Sequence, residues 1–167
     1  MQIQGQDYQV LQTVYELGSG YCSGEYLLLQ NKNKEKFLAY EKRIVSKDAI
    51  NSAIDSAEDA ISSMDYALSI INNKYQEKEH GISYRGSNKN IILNTVEYKL
   101  LNKFDVYYTG WECDSEGFVV EDVKTKKQLI MLSNHGSLYI ASQKELNSML
   151  DEYKDIYKQT KELFEKL

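Results

Sequence analysis

The stretch DYQVLQ, residues 7–12, is followed about ninety residues later by EYKLLN, residues 97–102, and every position is identical or conservatively replaced. The match continues in the same order, because Cys22 aligns with Cys113 once a single residue is inserted in the second segment. A recurrence of this kind predicts an internal duplication, in which one structural unit occurs twice.

Each segment continues with two apolar runs around a polar turn, EYLLLQNKNKEKFLAY at 25–40 and GFVVEDVKTKKQLIML at 117–132. Two β-prone runs that flank a turn favour a β-hairpin. The second segment then has about four extra residues, within SNHG at 133–136, before the match resumes.

A long helix is predicted after each hairpin. Ser46 and Ser142 are candidate N-caps, and Ser142 with Glu145 has the spacing of a capping box. Apolar positions then recur at alternating spacings of four and three, as on one side of a helix. The two predicted stripes are Ile50, Ile54, Ala57, Ile61, Met64, Leu68 and Ile71 in the first segment, and Leu146, Leu150, Tyr153, Tyr157, Thr160, Phe164 and Leu167 in the second.

The sequence therefore predicts an α+β fold in which a β-hairpin or three-stranded meander followed by a long helix occurs twice. The predicted units are 7–75 and 97–167, joined by a connector at 76–96 in which IILNTV forms an extra strand. A segment of this size buries only about 60% of its surface by itself. We therefore expect the two units to pack with pseudo-twofold symmetry into one globule, rather than as two independent beads.

Composition limits the function. A net charge of −5 and a pI of about 5.1 argue against direct binding to nucleic acid, which requires a basic surface.

The chain has no apolar run long enough for a membrane span, and its start lacks the features of a signal peptide. Two widely separated cysteines fit the reducing cytoplasm, where we expect the protein to reside. Abundant Lys, Asn, Ile and Tyr with no proline are typical of AT-rich coding, as in many low-GC bacteria and their mobile elements.

Chemical motifs are weak. The stretch GSGYCSG at 18–24 has the wrong glycine spacing for a dinucleotide-binding loop, and a strand rather than a helix is predicted after it. Cys22, Cys113, His80 and His135 could supply four zinc ligands, but no two of them form the close pair typical of zinc sites. No nucleophile and base, and no pair of carboxylates, can be assigned. The sequence therefore predicts no catalytic residue, no metal and no cofactor, and it favours a non-enzymatic protein without deciding the matter.

Two features indicate recognition of a partner. The first predicted helix carries carboxylates without an intervening Lys or Arg; they are Asp48, Asp55, Glu58, Asp59 and Asp65. Such a face is either merely solvated or docks on a basic surface. Tyr107, Tyr108 and Trp111 lie close together in YYTGWEC, and aromatic side chains with a polar tip are favoured at protein interfaces as well as in cores. The candidate partner-binding residues are Asp55, Glu58, Asp59, Tyr107, Tyr108 and Trp111.

The leading hypothesis is a small acidic protein-binding module that docks on a partner with a basic surface. A concrete version is an inhibitor from a phage or mobile element that acts on a host nucleic-acid-processing defence enzyme. The alternative is a small-ligand or metal-binding protein, either an enzyme or a binding protein, with its site between the two units near Cys22, Cys113 and Trp111. The helical stripes could also form an intermolecular coiled coil, so both a monomer and a homodimer are compatible with the sequence.

Overall fold

The computed structural model describes residues 1–19, 23–72, 90–109, 116–134 and 136–167. This part of the chain has a mixed α+β fold with several sheets and two long helices, α1 (Asn51–Asn72) and α2 (Gln143–Lys166). A 3-10 turn, Lys47–Ile50, leads directly into α1. The strands are β1 (Gln2–Ile3), β2 (Gln6–Asp7), β3 (Gln9–Tyr15), β4 (Gly18–Ser19), β5 (Glu25–Gln30), β6 (Lys36–Tyr40), β7 (Arg43–Val45), β8 (Ile91–Leu93), β9 (Val96–Asp105), β10 (Tyr107–Tyr108), β11 (Glu116–Asp122), β12 (Gln128–Asn134) and β13 (Ser137–Ile140).

The strands form two antiparallel meanders and two small pairings. The first sheet has the order β3-β5-β6-β7, and the second has the order β13-β12-β11-β9-β8. β1 pairs with β2, and β4 pairs with β10 across the two halves of the chain. The predicted hairpins are therefore present as β5–β6 and β11–β12, each within a larger sheet.

The two quoted motifs form the strands that begin each meander. DYQVLQ runs from β2 into β3, and EYKLLN lies within β9. In both sheets the pairing with the next strand contains an irregularity, so that Leu11 is skipped in β3 and Leu101 is skipped in β9. Such a β-bulge bends the strand and increases its local twist.

A tight hairpin precedes each of these strands. Gln4 and Gly5, between β1 and β2, have φ of 50° and 78°, and Asn94 and Thr95, between β8 and β9, have φ of 50° and 68°. Two successive positive φ angles are what a two-residue type I′ hairpin turn requires. The extra strand predicted in IILNTV is β8, and it pairs with the start of β9.

Both predicted serines cap the starts of helical segments. The Ser142 Oγ accepts a hydrogen bond of 3.1 Å from the Glu145 backbone N–H, and the Ser46 Oγ accepts one of 3.3 Å from the Asp48 N–H. The carboxylate of Glu145 accepts a hydrogen bond from the Tyr139 hydroxyl. The Glu145 side chain of the predicted capping box therefore binds a tyrosine of β13 in the second sheet.

Three positions of the first predicted stripe, Ile50, Ala57 and Met64, are fully buried, but the other four lie one residue away from the most deeply buried side of α1. Ile54, Ile61 and Leu68 are only half-buried, while the residues before each of them are buried alanines, Ala53, Ala60 and Ala67. The reason is that α1 packs against α2 as well as against the second sheet, and small side chains allow two helix backbones to approach closely. The larger apolar side chains therefore lie beside the most deeply buried side of α1 instead of along it.

The α2 stripe agrees better with the sequence. Leu146, Leu150, Tyr153 and Thr160 are buried as predicted, while Tyr157, Phe164 and Leu167 are half-buried. The fully covered positions in the later turns are Ile156 and Leu163. The displacement has the same sense as in α1, because the buried residue again precedes the predicted one.

The two helices run antiparallel across both sheets. The second half of α1, with Met64 and Ala67, and the first half of α2, with Leu146, share one core with the second sheet. At the opposite end Ile50, from the turn before α1, and Leu163 of α2 share another core with the first sheet. Each helix therefore contributes apolar side chains to the sheet of the other half of the chain.

We predict that Leu163→Ala lowers the free energy of unfolding by about 2–5 kcal/mol, because it leaves a cavity where α2 packs against the first sheet. Leu163 is 0% exposed. The matched control is Ile92→Ala, at a side chain that is 73% exposed, for which a change within about 0.5 kcal/mol is expected. Urea denaturation of the full chain measures both, and equal losses for the two variants would contradict the shared core.

Candidate functional site

The structure separates the predicted partner-binding residues into two places. Asp55, Glu58 and Asp59 are exposed on α1, and Tyr107 and Tyr108 form the short strand β10. Trp111 lies outside the described residues, as do Cys22, Cys113, His80 and His135. The alternative ligand site predicted near Cys22, Cys113 and Trp111 therefore lies outside the described residues, whereas two aromatic residues of the predicted partner-binding loop lie within them.

The β4–β10 pairing fixes the backbone of these tyrosines at the junction between the halves of the chain. Tyr107 lies opposite Ser19, and Tyr108 lies opposite Gly18. The Ser23 hydroxyl donates a hydrogen bond of 3.3 Å to the Tyr108 carbonyl. Main-chain contacts from the first half of the chain thus position two aromatic side chains of the second half.

A pocket of about 400 Å³ lies between β10, β13 and the first turns of α2. Pockets that bind small molecules have volumes of roughly 300–1,000 Å³, so its size is that of a ligand site. Four tyrosines and two glutamates are among its walls. The lining residues are Leu17, Tyr107, Tyr108, Thr109, Tyr139, Glu145, Met149, Glu152 and Tyr153.

Hydrogen bonds hold two of the tyrosine walls in place. The Tyr153 hydroxyl, at the buried end of a side chain that is 2% exposed, donates to the Tyr107 carbonyl. The Tyr139 hydroxyl donates to Glu145 Oε1 at 2.9 Å and so joins β13 to the start of α2. Buried aromatic side chains with satisfied hydroxyls form a rigid lining.

The pocket raises the pKa values of the Tyr139 and Tyr153 hydroxyls in its lining. Burial raises the pKa of Tyr139, and the hydrogen bond to the Glu145 carboxylate raises it further. Burial also raises the pKa of Tyr153, although its hydrogen bond to Tyr107 opposes the shift, and nearby Tyr108 and Glu152 add to the rise. Both phenols are therefore neutral at physiological pH, and the charge of the lining comes from the carboxylates of Glu145 and Glu152.

These two carboxylates lie on one side of α2, seven residues apart, with Met149 between them. Seven residues correspond to about 10 Å along a helix axis. No Lys, Arg or His is among the described lining residues. The pocket thus combines aromatic and thioether surface with two separated negative charges, an arrangement that attracts organic cations and not anions.

The second candidate surface is the acidic side of α1. Asp48, Asp55, Asp59 and Asp65 are exposed, and Glu58 Oε1 accepts a hydrogen bond of 3.1 Å from the Tyr157 hydroxyl of α2. Across the described ranges, the one ion pair joins Lys103 and Glu116 on the second sheet. The carboxylates of α1 are thus not neutralised by a basic side chain of the described chain.

The glycine-rich stretch has a packing role at its two described ends. Gly18 pairs with β10, and a Cβ on Gly24 would lie only 2.8 Å from the Tyr40 hydroxyl oxygen. That hydroxyl donates a hydrogen bond of 2.7 Å to the buried carboxylate of Glu16. Gly20 lies outside the described residues. The strand β5 follows the stretch, so no helix N-terminus is placed there to face a phosphate.

Neither a metal-binding cluster nor a membrane-spanning helix is present in the described ranges. No group of three or more His, Cys, Asp or Glu side chains is arranged there to hold a metal ion. No helix there combines the length and the apolar character needed to cross a bilayer. In comparisons with protein-family models, curated proteins and solved structures, nothing matches the chain.

Two walls of the pocket, Tyr107 and Tyr108, are residues that the sequence singled out for partner binding, whereas it singled out none of the walls from β13 and α2. The missed residues with polar groups are Tyr139, Glu145, Glu152 and Tyr153. Three of them lie on α2, where spacings of seven and eight residues from Glu145 place Glu152 and Tyr153 on the same side of the helix two turns later. This spacing was available in the sequence, but the approach of β10 and β13 to that side of α2 was not.

The free energy of unfolding should fall as the pH rises above about 10, and we predict that this fall is smaller in the variant Tyr153→Phe. The folded state favours the neutral phenol, so above about pH 10 the unfolded chain releases protons that the folded chain retains, and the free energy of unfolding falls as the pH rises. Urea denaturation between about pH 8 and 11 should give a shallower fall for this variant. Tyr15→Phe, at a side chain that is 54% exposed, should keep the wild-type slope. Identical slopes for all three proteins would contradict the prediction.

Proposed function

We propose that this protein is a non-enzymatic protein-binding module that recognises a basic surface on its partner through the acidic side of α1. The observation that carries the proposal is the exposed row of carboxylates on a helix that contains no Lys or Arg, with no ion pair to them from the described residues. Such charges are available to a partner of opposite sign.

The exposed carboxylates of α1 favour association with a partner more than they stabilise the fold. Exposed, unpaired carboxylates add little to stability and repel one another. They do, however, create a negative potential that steers a basic partner towards this side of the molecule. The helix is a rigid support, because α2 and the second sheet cover its opposite side.

The more specific form of the proposal concerns the partner and the source. Small size, acidity and AT-rich composition support an inhibitor from a phage or mobile element, located in the cytoplasm. The nucleic-acid groove of a host defence enzyme is a basic surface of the required kind. An inhibitor that covers such a groove needs complementary charge and no catalytic group.

We also propose that the two halves arose by tandem duplication and retain a pseudo-twofold arrangement. Both have a tight hairpin, a bulged first strand, a meander, a serine cap and a helix in the same order. The skipped residues Leu11 and Leu101 occupy matching positions in the quoted motifs. Under this proposal the pocket is a later specialisation of one half, since Glu145, Glu152 and Tyr153 align with Ala49, Ser56 and Ala57.

A second candidate function is favoured by the pocket. Its volume and its tyrosine and glutamate walls suit a small ligand, and its lining includes Tyr107, Tyr108 and Thr109, which shortly precede Trp111 and Cys113 in the sequence. This function does not require the acidic side of α1. A ligand-binding protein and a protein-binding module therefore predict different effects of the same substitutions.

We predict that Asp55→Lys, Glu58→Lys and Asp59→Lys together abolish capture of the partner in affinity purification from the source cell. Reversing three charges replaces attraction to a basic surface by repulsion, and such changes act mainly on association and specificity. The wild-type interaction should also weaken as the salt concentration rises, because exposed charges are screened.

The matched control is Asp7→Lys, Glu25→Lys and Glu41→Lys. These residues are exposed on the first half of the chain, and the control changes the net charge by the same amount. It should retain the partners of the wild type. If both triple variants lose the same partners, overall charge explains capture, and the role of α1 is wrong.

A further inference from the structure

We propose that the tyrosine and glutamate pocket is a binding site for a linear alkyl chain that carries two ammonium groups. The proposal deepens the second candidate function and is independent of the acidic side of α1. It assigns roles to Glu145, Glu152, Met149 and the four tyrosine walls.

The two glutamates determine the charge of the ligand. Glu145 is held by the Tyr139 hydroxyl, and its other carboxylate oxygen can accept from an ammonium group. Glu152 is exposed and forms no ion pair with another described residue. Carboxylates bind ammonium groups through charge-assisted hydrogen bonds, which are stronger than neutral ones.

The positions of the two glutamates on α2 determine the shape of the ligand. Seven residues separate them by about 10 Å along the helix axis, and no group of three or more described His, Cys, Asp or Glu side chains is arranged to hold a metal ion. This separation suits two cationic groups at opposite ends of a short methylene chain. Met149 lies between the two glutamates on this side of the helix, where it offers a polarisable apolar contact for that chain.

The tyrosines add selectivity for cations. The electron-rich faces of aromatic rings attract ammonium groups, most strongly where water is excluded. Leu17 and Tyr153, which are 1% and 2% exposed, form the buried floor. The same chemistry is offered by a free diamine or polyamine and by the lysine side chains of a protein, so the experiment must separate these sources.

Titration calorimetry of the full chain at about 0.15 M salt, which screens exposed charges, tests the proposal with four probes. They are 1,5-diaminopentane, spermidine, the monoamine n-butylamine and a blocked dipeptide of two lysines. We expect one saturable site for a probe with two ammonium groups and at least about tenfold weaker binding of the monoamine. Tighter binding of the dipeptide would indicate a protein source, and tighter binding of a free amine would indicate a small-molecule source.

Glu145→Gln and Glu152→Gln should each weaken binding by about tenfold or more, because each removes one charged end. Gln retains an oxygen that can accept from Tyr139, and Glu152 is exposed, so folding should be preserved; circular dichroism and thermal melting without ligand check this. The control is Glu165→Gln, which removes the same charge from an exposed position of α2 outside the pocket and should bind as the wild type does.

Three results would overturn the proposal: no binding at millimolar concentration, equal weakening by Glu165→Gln, or equal affinity for the monoamine. The triple variant Asp55→Lys, Glu58→Lys, Asp59→Lys should still bind the diamine. Loss of partner capture with retained diamine binding in that variant would separate the pocket from the proposed partner surface.

Discussion

The antiparallel packing of α1 on α2 is the interaction on which the rest of the structure depends. Ala53, Ala57, Ala60 and Ala67 are buried along α1, and small side chains at these positions allow the helices to approach closely. Each helix then reaches both sheets, as Met64 does in one core and Leu163 in the other. Neither half of the chain has a complete core without a helix side chain from the other half.

This arrangement also creates the two candidate surfaces. Because one side of α1 is covered by α2 and the second sheet, its carboxylates are left on the opposite, exposed side. The start of α2 is held against β13 by Tyr139 and Glu145, and against β10 by Tyr153 and Tyr107. Those two links position the walls of the pocket, so the same residues that join elements of the fold also shape the site.

On the sheet faces that point away from the helices, small apolar clusters bury the strand side chains. Ile3 and Tyr8, around the first tight hairpin, cover the outer face of the first sheet over Leu27 and Leu29. In the second sheet, Ile91 and Leu93 of the edge strand β8 extend the apolar cluster around Tyr98. These small clusters make the additional strands part of the fold instead of loose extensions. An antiparallel sheet with one bare apolar face would expose a surface that favours association with other chains.

The sequence by itself determined the local features: the hairpins, the serine caps, the extra strand β8 and the existence of two helices, because each depends on residues close together in the chain. It also identified the acidic side of α1, since consecutive turns of one helix carry those charges. Only the tertiary structure decided that alanines, and not the larger Ile54 and Ile61, are the fully buried residues at these turns of α1. It likewise brought Tyr107 of β10 to Tyr153 of α2. Burial and pockets depend on which distant elements meet, and the periodicity of a single segment does not specify its neighbours.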